Sequence, residues 1–101
     1  MGTYVVIKPD GSTHRVPGGK KLELSRLYHL IGCRTVEVTP VQFEGRKRDC
    51  WIDEEGLMKG FDEIQWNAKV RALAVDYWAK QGVASERIQS FAGTGVVWLP
   101  K

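Results

Sequence analysis

CWIDEEGLMKGFDEIQWNAKVRALAVDYWAK, residues 50–80, is the stretch whose reading decides the fold. Its start, with Asp49, reads as a strand, DCWID, and the turn EEG at 54–56 closes it. A helix is then expected from about Asp62 to Gln81, with Asp62 as N-cap and Gly82 as the C-terminal stop. At about 100° per residue, Gln65, Lys69, Asp76 and Lys80 fall on one narrow side, which must be the wet face. Trp66, Val70, Leu73 and Tyr77 form a stripe on one flank, and Ile64, Ala68, Ala72, Val75 and Ala79 a stripe on the other. Asn67, Arg71, Ala74 and Trp78 lie between the stripes, opposite the water.

An amide and a guanidinium are thereby aimed at the core. Burying an amide without partners costs about 1–3 kcal/mol, and an unpaired guanidinium costs more. Two readings satisfy them. In the first they are structural: Asn67 bonds the backbone of the DEEG turn, and Arg71 pairs with Asp53, Glu54 or Glu55 or runs its stem out to solvent. In the second they face a ligand or a second chain. Asn67 and Arg71, with Trp66 and Trp78 as stacking walls, suit a nucleotide: amide to base edge, guanidinium to phosphate, ring to base face.

Upstream, TYVVIK (3–8) reads as a strand, PDG (9–11) as a turn and STHRV (12–16) as the return strand. PGGKK (17–21) is a flexible break without the glycine spacing and Lys-Ser/Thr ending of a phosphate loop. Leu24, Leu27, Tyr28 and Ile31 recur at helical steps within a short helix over 22–31, and Gly32 stops it. RTVEVTPVQF (34–43) alternates as a half-solvated strand, with Pro40 favouring an edge or strand end. EGRKR (44–48) reads as the turn that follows, placing Arg46, Lys47 and Arg48 at a hairpin tip. The tail RIQSFAGTGVVWLP (87–100) holds one or two last strands, interrupted by Gly93 and Gly95. The order strand, strand, helix, strand, strand, helix, strand predicts a single α+β domain over 1–101. Its small, mostly antiparallel sheet carries one short and one long helix packed on one face.

Composition narrows the function classes. The 101 residues are 43% hydrophobic with four tryptophans, enough for one core, and the net charge is only +3. There is neither a signal-peptide pattern nor an apolar run near the roughly 18 residues of a membrane span. A protein of the host-cell cytoplasm with reduced Cys33 and Cys50 is expected, Cys50 being a buried inert thiol. The two cysteines and the distant His14 and His29 lack zinc-finger spacing, and Asp53, Glu54 and Glu55 read as a solvated turn rather than a metal site. No catalytic constellation can be argued from spacing, so the chain reads as non-catalytic and without a cofactor.

IGCRTVEVTPV (31–41), WIDEEGLMKG (51–60) and Asn67 followed by AKVRAL (68–73) resemble a family of small phage and plasmid proteins described only as a domain of unknown function. The resemblance covers roughly residues 30–99, and the matching residues are Asp53, Glu54, Glu55, Gly56, Asn67 and Ala68. The chain departs from the pattern at PGGKK and in a longer stretch between Gly56 and Asn67. The resemblance implies a mobile-element origin and supplies no reaction.

The function expected is that of an accessory protein that sequesters a small anionic ligand, a nucleotide signal of host immunity, as a homo-oligomer. Its binding set would be Asn67, Arg71, Trp66, Trp78, Arg46, Lys47 and Arg48. A second expectation is an inhibitor that occupies a host defence protein through an edge strand or apolar patch. A third, a nucleic-acid accessory factor using 46–48, is weaker, because three phosphate contacts give only salt-sensitive binding.

Overall fold

The computed structural model describes residues 2–58 and 64–100. Five strands form one antiparallel sheet: β1 (Thr3–Ile7), β2 (Thr13–Pro17), β3 (Val36–Phe43), β4 (Arg46–Asp53) and β5 (Gly95–Leu99). Among the described residues two α-helices accompany it, α1 (Leu24–Ile31) and α2 (Ala68–Lys80). The α+β class and the order of the elements are those the sequence predicts. Strand order is β2-β1-β5-β4-β3, so the last strand lies in the centre, between two hairpins made earlier in the chain.

The helices sit on opposite faces of the sheet rather than on one. The reason is in β1, where Tyr4, Val5, Val6 and Ile7 are all buried. Successive side chains of a strand point to opposite faces, so four consecutive buried residues demand a cover on both. Val5, Ile7, Val97, Cys50, Ile52 and Val41 pack with Val70 and Ala74 of α2. Tyr4, Val6 and Val96 pack with Leu27 of α1, which is fully buried and contributes about 1.5–3 kcal/mol. The α1 side is pinned further: the Tyr4 hydroxyl accepts from Glu23 N–H at 3.1 Å, and the Arg26 guanidinium lies 5.1 Å from the Tyr4 ring centre.

The β3–β4 turn is shorter than expected. Glu44 (φ 50°) and Gly45 (φ 81°) alone make it, a two-residue turn whose positive φ values match the strand twist. Arg46, Lys47 and Arg48 therefore belong to β4 and not to the tip. The register then follows. Phe43 and Arg46 close the hairpin, and Glu54 N–H donates to Thr35 O at 3.2 Å at the far end. Alternation between these pairs puts Pro40, opposite Asp49, at a non-hydrogen-bonded position, so its missing N–H falls on the outer edge. The expectation of an edge at Pro40 holds, because β3 is an outermost strand.

Helix α2 begins later than the helical wheel implies. Ile64 and Gln65 are not helical, and the N-cap is Asn67; the cap expected at Asp62 lies outside the described residues. Gly82, at φ 83°, ends the helix as expected, with Val83 N–H donating to Trp78 O at 3.0 Å. No helix among the described residues is long and apolar enough to cross a membrane.

Cys50 is fully buried between sheet and α2, and Cys33 is half-buried; both are free thiols. Burial pushes the Cys50 thiol from 9.0 up to about 12, opposed only by a weaker hydrogen bond from the Val96 backbone. An unfolded chain releases this proton above pH 9 and the folded one holds it until about 12. Stability is thus fully present below pH 9 and falls through that window, by on the order of 1.4 kcal/mol per pH unit. Urea melts at pH 8 to 11 should show this slope, and Cys50→Ala should lose it while starting from a lower stability.

Candidate functional site

Asn67 is 1% exposed and every polar atom of its side chain is engaged. Its Oδ1 accepts from Val70 N–H at 3.0 Å, capping α2. Its Nδ2 donates to Ile7 O at 3.0 Å and to Gly93 O at 2.9 Å. Its own N–H donates to Phe91 O at 2.8 Å. The amide ties the end of β1, the approach to β5 and the start of α2 together. It has no donor left for a base edge, so the ligand role expected for Asn67 is withdrawn and the structural one stands. The partners differ from those expected: the carbonyls come from β1 and the approach to β5, not from the DEEG turn.

Arg71 is half-buried, and its Nη2 donates to Ser85 O at 3.0 Å and Ile88 O at 3.3 Å. It forms no ion pair with Asp53, Glu54 or Glu55, the partners the first reading offered it, and its guanidinium is taken up by these two carbonyls instead. The buried line of α2 runs through Asn67, Val70 and Ala74, so Arg71 sits beside it, while Ala68, Ala72 and Ala79 are exposed. The wheel is turned because it gives equal weight to two apolar stripes, and an exposed alanine costs little.

The tryptophans do not form one wall. Trp66 precedes the helix, is 49% exposed and pairs through a single β-bridge with Ala92. Trp78 stands near the other end of α2, about 15 Å away along the axis. In β4, Lys47 is neutralised by Asp49 at 2.8 Å, Arg46 is exposed, and the half-buried Arg48 has an Nε without a partner among the described residues. Arg15 and Glu44 pair at 2.6 Å near this end; at 54% and 52% side-chain exposure the pair contributes little. The expected seven-residue set is therefore dispersed, and of its members Trp78 lines the groove described next.

That groove, about 340 Å³, lies between β3, the C-terminal half of α2 and the segment 83–91. Trp78 and Phe91 supply its rings, Thr39 and Gln89 its neutral polar groups and Arg87 its charge; among the described residues no carboxylate lines it. Tyr77 stands edge-on to Trp78, with ring centres 5.0 Å apart, which fixes the indole. Arg87 and Gln89 are exposed along its rim. The sequence reading of RIQSF as part of a strand misses these two residues. The available signal is Gly82 and Gly93, which bracket a stretch with a Ser-Glu-Arg turn and no alternation.

A larger cleft of about 560 Å³ opens at the end of α1, lined by Tyr28, His29, Cys33, Arg34, Asp53 and Glu55. Its charge disfavours an anion, because Arg34 already lies 3.9 Å from Glu55 and Asp53 adds a second carboxylate. Burial, followed by Asp53, pushes the Cys33 thiol up, which lowers its thiolate fraction at neutral pH. Asp53 Oδ1 accepts from Glu55 N–H at 2.9 Å and so shapes the acidic turn itself. Among the described residues no three His, Cys, Asp or Glu side chains converge in a metal-binding group.

No family model matches the chain, and neither a curated protein nor a solved structure matches it.

Proposed function

We propose that the protein binds a small planar anion of the nucleotide class in the Trp78 groove and holds it without chemistry. One observation supports this reading: a fixed, part-buried indole faces a groove whose only charged lining group among the described residues is Arg87. A base would stack on Trp78, Gln89 and Thr39 would meet its edge, and Arg87 would take the phosphate. At about 340 Å³ the groove is near the lower end of the ligand-pocket range of roughly 300–1,000 Å³, which suits one nucleotide rather than a larger cofactor. The resemblance to mobile-element proteins makes a nucleotide signal of a host defence system the first class to try, with the protein acting as a sponge.

The test is a thermal-shift titration with AMP, GMP and linear and cyclic dinucleotides, followed by Trp78→Phe and Arg87→Ala. At least one nucleotide should raise the melting temperature of the wild type. Arg87 is exposed, so Arg87→Ala should stay within about 0.5 kcal/mol of wild-type stability yet lose the shift. Losing the full stacking surface is worth about 1–3 kcal/mol of binding, and Trp78→Phe should forfeit part of it. No shift with any nucleotide would remove the reading.

A second reading, association of two copies through β3, is favoured by Val38, which is 54% exposed on the open edge. Val38→Lys should then convert a dimer into a monomer in sedimentation while leaving the groove intact.

A further inference from the structure

We propose that Arg71 is the positioning residue of the Trp78 groove: it holds the segment 83–90 as one wall and never touches the ligand. This rests on the nucleotide-binding reading above. Arg87 and Gln89, the groups expected to meet phosphate and base, both belong to this segment, as do the lining residues Val83 and Ile88. The segment has no strand partner among the described residues. Its internal structure is one 3₁₀ turn, Ser85–Arg87, closed by Arg87 N–H to Ala84 O at 3.0 Å and Ile88 N–H to Ser85 O at 3.1 Å.

Both ends turn on glycines in the left-handed region, Gly82 at φ 83° and Gly93 at φ 84°. Past the segment, Phe91 is anchored, buried in the core with its carbonyl held by Asn67 N–H. Between these ends Ile88 packs partly against the core, and the guanidinium of Arg71 bridges the carbonyls of Ser85 and Ile88. One planar cation thus fastens both ends of the turn that carries Arg87. Both bonds leave one nitrogen, Nη2, so a lysine ammonium has donors enough for the two carbonyls and differs in its shorter reach and in the planar group it lacks. This also explains a guanidinium placed beside the core: it fastens the segment that carries the binding groups.

The experiment compares wild type, Arg71→Met and Arg71→Lys by amide hydrogen exchange and by AMP affinity. Met keeps the apolar stem and removes the donors. In Arg71→Met, exchange across 83–90 should rise about tenfold or more while β1, β5 and α2 stay protected, and the AMP Kd should weaken by about tenfold. Arg71→Lys should fall between the two on both measures. Unchanged exchange in 83–90 would overturn the proposal, as would an equal rise across the whole chain, which would make Arg71 an ordinary stability element. Localised loosening with an unchanged AMP Kd would also overturn it, since the wall would then not matter to the ligand. If the wild type binds no AMP, the nucleotide reading fails at this probe, and the exchange comparison still decides whether Arg71 holds the segment.

Discussion

Asn67→Ala should lower the unfolding free energy by about 3–5 kcal/mol, enough to leave a domain of this size barely folded. The change removes a helix N-cap, worth about 0.5–2 kcal/mol. It also strips the partner from the buried Ile7 O and the part-buried Gly93 O, and a buried carbonyl left unsatisfied costs about 1–3 kcal/mol, a part-buried one less. Urea denaturation read by circular dichroism measures the sum. A loss below about 1 kcal/mol would mean that water reaches the two carbonyls and that the amide is only a cap. Asn67→Asp separates the parts. It keeps the acceptor for Val70 N–H but turns a carboxylate oxygen on two carbonyls. Its carboxyl should therefore titrate above the ordinary range in the folded state. A raised acid pKa contributes stability at low pH that is lost as pH rises, so this variant should be most stable in mild acid and weaken towards neutrality.

Asn67 also shows where the sequence can be read and where it cannot. That something unusual stands at this position is legible, because an amide opposite the wet face has to be satisfied. Which groups satisfy it is not, because Ile7 and Gly93 lie far from it in sequence and only the closed sheet brings them together. The same holds elsewhere. Strands, hairpins and helix stops are legible from local chemistry: alternation in β3, Gly32 at φ 80° after α1, Gly82 after α2. The two-sided sheet is signalled by four consecutive apolar residues in β1, but apolar runs do not say which helix takes which face. The start of α2 is ambiguous in sequence because Asp62 and Asn67 are both good caps, and the backbone of Asn67 is committed to Phe91 by a contact outside the helix. The groove is not legible at all. Thr39, Trp78, Arg87 and Gln89 come from a strand, a helix and an irregular segment, and no spacing rule joins them. The turn DEEG has architectural roles: Asp53 shapes the turn, and Gly56 lies against the Ala92 backbone.

Gly95→Ala should cost about 1–3 kcal/mol even though glycine is the weaker strand former, because here packing and not propensity decides. Gly95 opens the central strand β5 at the point where α2 starts across the sheet. A methyl group there would stand 2.7 Å from Val70 Cγ2 and 3.0 Å from Cys50 Sγ, closer than carbon and sulfur tolerate. Neither neighbour can give way freely. Val70 is β-branched, fully buried and in the first turn of α2, whose start is fixed by Asn67. Cys50 is fully buried in β4, one of only two positions at which β4 pairs with β5. The strain therefore spreads into the seam that joins the two hairpins, and β5 is the strand that joins them. A double-mutant cycle tests this account. Val70→Ala alone should cost about 2 kcal/mol or more by leaving a cavity. Combined with Gly95→Ala it should cost less than the sum of the two, because the added methyl enters the space the valine vacated. Additive losses would show that the glycine is needed for its backbone and not for the close approach of α2. Valine at position 95 extends the same logic. It brings two more methyl groups than alanine to a site closed in by Val70, Cys50 and Ile52, the last two of which stay in place when Val70 is cut back. Gly95→Val should therefore remain unfolded or nearly so in both backgrounds, while β1–β2 and β3–β4 keep their local turn signals but lose the strand between them.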